Sequence, residues 1–206
     1  MQNNIVIIDY GMGNLHSIKK KIDDIGFKAI ISNDVNIILN ADKLILPGIG
    51  HFKKATEQLR KRGIWDILDT KVLKDKTPIL GICLGLHLMA KYSEEGNVDG
   101  FGWLDATVHK FNLNNTLRYK IPHIGWNTLN FHNKSVIYNK INNKSLFYFL
   151  HSYYISCNNK EDIITTTEYE IKFVSSIQKD NIYGTQFHPE KSHEYGKKVF
   201  ENFLKI

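Results

Sequence analysis

The segment Pro78-Ile79-Leu80-Gly81-Ile82-Cys83-Leu84-Gly85 constrains the fold more than any other: an apolar run delivers a cysteine to a turn flanked by glycines, and amphipathic spacing follows. It predicts a strand, a sharp turn, and a helix beginning at Leu86, which is the grammar of an α/β sheet. Small residues on both sides suit the tight backbone path and positive φ of such a turn, and leave the sulfur accessible. The helix amino terminus adds free N–H donors and positive potential, which favour a thiolate and serve a nearby oxyanion. A cysteine after a parallel strand is also ordinary core material, so this segment alone leaves both readings open.

Gln186-Phe187-His188-Pro189-Glu190 shifts the balance. If Tyr183 to Phe187 is a strand, His188 leaves its end, and Pro189 fixes the chain so that Glu190 can approach the same imidazole. Cys83, His188 and Glu190 then form a catalytic triad. His188 accepts the thiol proton and later donates it to a leaving amine, while Glu190 sets the ring tautomer and stabilises its cation.

Along the first half, short apolar runs alternate with helical patterns, as in a parallel sheet covered by helices. Strands are expected over Asn4–Asp9, Ala29–Ile31, Lys43–Leu46 and Pro78–Ile82, and helical segments over Asn14–Ile25, Phe52–Arg62 and Ile64–Lys71. The loops Tyr10–Asn14, Pro47–Gly50 and Gly81–Gly85 then lie at carboxyl ends of strands, where ligands collect in such sheets. The second half reads as an antiparallel section: strands over Thr107–Phe111, Thr128–Phe131, Phe147–Ser156 and Ile171–Gln178 are separated by Asn-rich turns, including Asn112–Thr116 and Asn139–Lys144. A final helix is expected from His193 to Leu204.

The chain of 206 residues is 42% apolar, enough for one domain spanning residues 1–206. Its two cysteines have no paired spacing and its nine histidines no metal-site pattern, so no disulfide, metal or cofactor is expected. A net charge of +6 is spread over helix faces and loops, without the clustered basic and aromatic residues that would point to nucleic acid. No apolar run approaches membrane-spanning length and no leader pattern precedes Ile5, so a soluble cytoplasmic protein is expected.

These motifs resemble the class I, triad-type glutamine amidotransferases, and within them the glutaminase subunits of imidazole glycerol phosphate synthase. The resemblance runs through Asp9-Tyr10-Gly11-Met12-Gly13-Asn14, Leu46-Pro47-Gly48-Ile49-Gly50, the cysteine elbow, Pro122-His123-Ile124-Gly125-Trp126-Asn127, Tyr148-Phe149-Leu150-His151-Ser152-Tyr153 and Gln186 to Ser192. It implies a flavodoxin-like α/β fold, with a central, mostly parallel sheet flanked by helices.

Glutamine hydrolysis passes through tetrahedral oxyanions on either side of a thioester, so the site needs preorganised donors. The Leu84 N–H is one, as the residue after the nucleophile. The resemblance supplies the other as the Ile49 N–H, although Pro-Gly-x-Gly can also be a plain turn. It further implies that Gly50, His87, Glu95, Ser152 and Tyr153 hold the substrate glutamine. His87 departs from the family's glutamine at that position, and a neutral imidazole cannot reproduce both functions of a carboxamide; it is equally a polar residue at the pocket's edge.

By the same resemblance, Asn14, Trp126, Tyr148 and Lys191 lie on a face that meets a cyclase barrel subunit in a heterodimer and are tied to activation. Their ordinary readings are core for Trp126, a strand aromatic for Tyr148 and a solvated cation for Lys191. The implied function is glutamine hydrolysis to glutamate and ammonia, with the ammonia passed to the cyclase for imidazole glycerol phosphate in histidine biosynthesis. The same chemistry could instead feed a sugar amidotransferase of surface polysaccharide synthesis. A non-catalytic regulatory subunit is the remaining reading, and an intact triad argues against it.

Overall fold

The computed structural model describes residues 4–115 and 117–206. The first half runs β1 (Ile5–Ile8), α1 (Leu15–Asp24), β2 (Ala29–Ser32), α2 (Val35–Leu39), β3 (Lys43–Leu46), α3 (Phe52–Lys61), α4 (Trp65–Asp69), β4 (Ile79–Ile82) and α5 (Leu84–Leu88). The second half runs β5 (Ala90–Ser93), β6 (Val98–Asp99), β7 (Leu104–Lys110), β8 (His123–Asn127), β9 (Asn130–Phe131), β10 (Phe147–His151), β11 (Tyr153–Cys157), β12 (Ile163–Tyr169), β13 (Ile171–Lys179), β14 (Ile182–Thr185) and α6 (His193–Leu204).

One large mixed sheet has the order β2-β1-β3-β4-β14-β13-β11-β7-β5-β6, with β12 beside β13 and β9. The strands from β2 to β14 are parallel, and β14-β13, β13-β11 and β11-β7 are antiparallel. β8 and β10 form a separate antiparallel pair. The inner parallel strands β1, β3, β4 and β14 are buried at every residue, because helices cover both faces. Alternate residues serve opposite cores: Val6, Ile8, Leu44 and Leu46 pack with Phe52, Leu59 and Leu68, whereas Ile5, Ile7, Ile45 and Leu80 pack with Ile18, Ile22, Val199 and Phe203.

Several boundaries differ from the sequence expectation. The helix after the cysteine begins at Leu84, not Leu86, and is buried throughout rather than amphipathic. It fits because Gly85 lies against the Leu46 carbonyl, where any side chain would collide. The expected strand Phe147–Ser156 breaks at Ser152 into β10 and β11, which belong to different sheets. Helical structure after Ile64 extends past Lys71 through a π-helical turn, Thr70–Lys74. Strands β5, β6, β8 and β12 were not anticipated from the sequence. The expected turn Asn112–Thr116 ends on Thr116, which lies outside the described residues.

Among the described residues no helix is long and apolar enough to cross a membrane.

Candidate functional site

Cys83 sits at the carboxyl end of β4 with φ 53° and ψ −107°, immediately before α5. The Cys83 N–H is held by Thr185 O at 2.7 Å, and Cys83 O accepts the His87 N–H at 3.0 Å. The residue is thus pinned at both ends in a backbone conformation that L-residues rarely adopt, which is the strain expected where a nucleophile is displayed. Its side chain lines a cavity of about 280 Å³ together with Ile49, Leu84, Glu95 and His188. Leu84 is the first helical residue, so its N–H has no partner within α5 and is available to the cavity.

Strand β14 ends at Thr185, and the chain then carries His188 to the same cavity. His188 Nδ1 is 2.8 Å from Glu190 Oε1, and both side chains are almost completely buried. The backbone is fixed around them: Tyr148 O accepts the His188 N–H at 2.8 Å, and Ser192 Oγ donates to His188 O at 2.7 Å. Burial opposes a charged ring, but a thiolate at Cys83, whenever the sulfur gives up its proton, and its contact with the ring, followed by Glu190, outweigh burial and raise the His188 pKa well above its ordinary value. Its Nε2 makes no well-formed hydrogen bond in this conformation. The Cys83 thiol instead donates to Leu150 O at 3.8 Å. Cys83, His188 and Glu190 are therefore together in one buried group, with the sulfur turned toward a backbone carbonyl.

The Pro47–Gly50 turn forms one wall. Ile49 is 41% exposed, and Gly50 adopts φ +117°. Opposite it, Glu95, Ser152 and Tyr153 line the cavity. Glu95 lies in the turn after β5, where Oε2 accepts the Phe52 N–H at 3.0 Å; burial raises its pKa, while that bond and His51 hold it down. His87 also lines the cavity but is only 3% exposed, and its Nε2 is 2.7 Å from Gln186 Oε1. Burial lowers the His87 pKa to about 4 despite that bond, so the ring is neutral. Near Pro122 and Ser152, His123 Nδ1 is 3.1 Å from His151 Nε2, and His151 Nδ1 donates to Tyr153 O at 2.8 Å.

Beside Cys83, His188 and Glu190 lies a separate group, exposed at Trp126 and His193 and half-buried at Tyr148 and Lys191. Lys191 Nζ is 5.5 Å from the Tyr148 ring centre, Tyr148 meets Trp126 edge to face at 5.6 Å, and Trp126 stacks on His193 at 4.9 Å. Trp126 is 44% exposed, which rules out its reading as ordinary core. Asn14 opens α1, makes no side-chain capping bond, and α1 packs against the Pro189–Lys191 turn.

Two contributors carried no assigned role in the sequence reading. Gln186 donates from Nε2 to Cys83 Sγ at 3.7 Å, and Tyr10 reaches Pro47 O. Both stand inside motifs that were visible, but a buried amide or phenol shows no partner until the strands are assembled.

A model of the class-I glutamine amidotransferase family matches residues 6–206. The chain is 53% identical over 201 residues to an imidazole glycerol phosphate synthase subunit HisH 2 of Methanococcus maripaludis, covering 98% of each chain. It is 45% identical over 203 residues to a subunit HisH 1 of Campylobacter jejuni, covering 98% of this chain and all of that one. Among solved structures, a putative GMP synthase subunit from Thermoplasma acidophilum aligns over 100% of this chain and 94% of that one, with a TM-score of 0.74 at 22% identity, a likeness of fold alone.

Proposed function

Because the chain belongs to the class-I glutamine amidotransferase family, we infer that it is the glutaminase subunit of an imidazole glycerol phosphate synthase, passing ammonia to a cyclase subunit in histidine biosynthesis. The observation that carries this reading is the buried Cys83, His188 and Glu190 group opening on one cavity beside the Leu84 N–H.

In this reading His188 takes the Cys83 proton and the sulfur attacks the side-chain carbonyl carbon of glutamine. The carbonyl oxygen becomes an oxyanion, received by the Leu84 N–H and the Ile49 N–H. Collapse of the tetrahedral adduct breaks the C–N bond. His188 returns the proton to the leaving nitrogen, so ammonia departs and a glutamyl thioester remains. Water, deprotonated by His188, then attacks the thioester; the C–S bond breaks, glutamate is released and the thiol is restored. Glu190 stabilises the imidazolium in both halves. Glu95, Ser152, Tyr153 and Gly50 hold the α-amino and carboxylate groups of glutamine, with His87 at the cavity's inner edge.

Asn14, Trp126, Tyr148 and Lys191 make the docking face for the cyclase. Tyr148 links that face to the triad, since its carbonyl holds the His188 N–H. A single domain over residues 1–206 carries this chemistry, and a free thiol nucleophile suits a reducing cytoplasm. The same chemistry would equally serve a sugar amidotransferase of surface polysaccharide synthesis, the one other reading that the triad does not separate from this one.

Glutamate release by the purified chain, alone and with the cyclase of the same source plus its nucleotide substrate, tests the assignment. Strong stimulation is expected. No stimulation by a cyclase that is competent on free ammonia would move the assignment to the sugar partner.

A further inference from the structure

One buried chain of side-chain hydrogen bonds ends on the nucleophile without passing through His188 or Glu190. Gln186 is fully buried and directs Nε2 to Cys83 Sγ at 3.7 Å. Its Oε1 lies 2.7 Å from Nε2 of His87, itself almost completely buried. Neither contact takes part in the hydrolysis steps.

The polarity of this chain follows from its members. A carboxamide has a donor end and an acceptor end, and whichever end faces a sulfur decides whether the amide supports or opposes negative charge there. His87 is neutral because burial depresses its pKa, so it carries one ring proton. With that proton on Nε2, His87 donates to Gln186 Oε1, and the amide N–H group must face Cys83. The other tautomer would accept from the amide, reverse it and turn Oε1 onto the sulfur.

The sulfur's backbone neighbour makes this choice matter. Leu150 O, 3.8 Å away, suits a neutral thiol that donates to it and repels a thiolate. Gln186, by contrast, donates to that sulfur from a neutral side chain. A hydrogen bond to an ion in a dry site is stronger than one between neutral groups.

We propose that Gln186 and His87 are a positioning pair for the nucleophile: His87, through Nε2–H, fixes the Gln186 carboxamide with its donor end on Cys83 and so stabilises the thiolate. His87 then acts through Gln186 rather than as a direct ligand of glutamine. A carboxamide at position 87 can replace it, because it too has an N–H to offer Oε1. The proposal rests on Cys83 being the nucleophile, as the glutaminase reading requires.

The test is alkylation of Cys83 by iodoacetamide across a range from about pH 5 to about pH 10, in the full chain carrying Cys157→Ser so that one thiol reacts. The variants are Gln186→Met, which keeps side-chain length without the amide, His87→Leu and His87→Gln. Gln186→Met and His87→Leu are expected to slow alkylation at neutral pH about tenfold and to move the profile's midpoint upward by about one unit, the scale of one charge-assisted hydrogen bond. His87→Gln should stay within about twofold of the parent. With the cyclase present, kcat for glutamine should fall in step with alkylation while KM changes little.

Superimposable profiles for Gln186→Met and the parent would overturn the proposal. A shift on Gln186→Met with none on His87→Leu would overturn the role of His87. If Gln186→Met does not fold, as judged by its near-ultraviolet circular dichroism, the contrast between His87→Leu and His87→Gln decides. Failure of the parent complex to hydrolyse glutamine would instead sink the glutaminase reading, an outcome the alkylation profile distinguishes.

Discussion

Tyr10 Oη donates a 2.6 Å hydrogen bond to Pro47 O, tying the exit of β1 to the turn that carries Ile49. The phenol is fully buried; desolvation, then the negative charge of Cys83, raises its pKa, so it remains a donor. The turn is also clamped at Gly48, where a Cβ would stand 2.6 Å from Leu84 Cβ and 2.7 Å from Tyr10 Oη. It is therefore fixed at Pro47 and Gly48, next to the exposed Ile49 and the positive-φ Gly50, which leaves the second half of the turn the less constrained.

Tyr10→Phe removes that tether while keeping the ring. The unpaired Pro47 carbonyl should cost about 1–2 kcal/mol of stability, read by urea unfolding. Cyclase-stimulated glutaminase kcat should fall about threefold to tenfold as the turn loosens, with Cys83 alkylation unchanged. A parallel loss of alkylation would place the effect on Cys83 instead of the Pro47–Gly50 turn.

Cys83→Ala should abolish glutamine-dependent synthesis by the complex and leave ammonia-dependent synthesis intact. Glu190→Gln keeps the shape of the side chain but weakens its hold on the imidazolium, and should lower glutaminase kcat on the order of 10³-fold. Equal loss of the ammonia-dependent reaction in either variant would contradict the division of labour between the subunits.

The parallel half of the fold was legible because its strands are buried on both faces and its helices repeat their apolar residues, so Ile5–Ile8, Lys43–Leu46 and Phe52–Lys61 announce themselves. Cys83, His188 and Glu190 were legible for a different reason, the tight local chemistry of an elbow and a His-Pro-Glu exit. Strands β5, β6 and β8 were not, because they are short or polar and take their conformation from neighbours distant in sequence, as Ala90 does from Leu104 and Trp126 from Tyr148. The break at Ser152 was hidden for the same reason: Phe147 to Ser156 alternates like one strand, and only the sheets it joins reveal two. His87 marks the limit most clearly, since its position implies a substrate contact and its assembled environment adds Gln186.

Gly85→Ala should be among the most damaging single-methyl additions. The new Cβ would overlap Leu46 O and lie 2.8 Å from Leu46 C, both backbone atoms that cannot rotate away. A destabilisation of about 3 kcal/mol is expected from urea unfolding. Near-native stability would mean that α5 can slide away from β3, and that the position of the Leu84 N–H is softer than its packing implies.

Acid should weaken the fold through histidines kept neutral around the cavity. Burial lowers the pKa of His87 and of His123 to about 4 from an ordinary 6.5, and burial followed by the neighbouring His123 lowers that of His151 well below its ordinary value. A group whose folded pKa is depressed binds fewer protons when folded, so its stabilisation is present above 6.5 and is lost as pH falls from there toward 4. Each such proton contributes a slope of about 1.4 kcal/mol per pH unit in that window. His188 has the opposite sign: with its folded pKa raised, its contribution is complete below 6.5 and is lost only on the alkaline side, so it adds no acid slope. Glu94, Asp105 and Glu201, whose pKa values are lowered by their hydrogen-bonded partners, act only at pH values below their ordinary carboxylate range. Urea midpoints should therefore fall steeply between about pH 6.5 and about pH 5. His123→Phe, which keeps a ring between Phe149 and Tyr169, should remove about one proton from that slope. A midpoint that stays flat across this window would show that the His123 and His151 pair takes up protons without opening the structure around Ser152 and Tyr153.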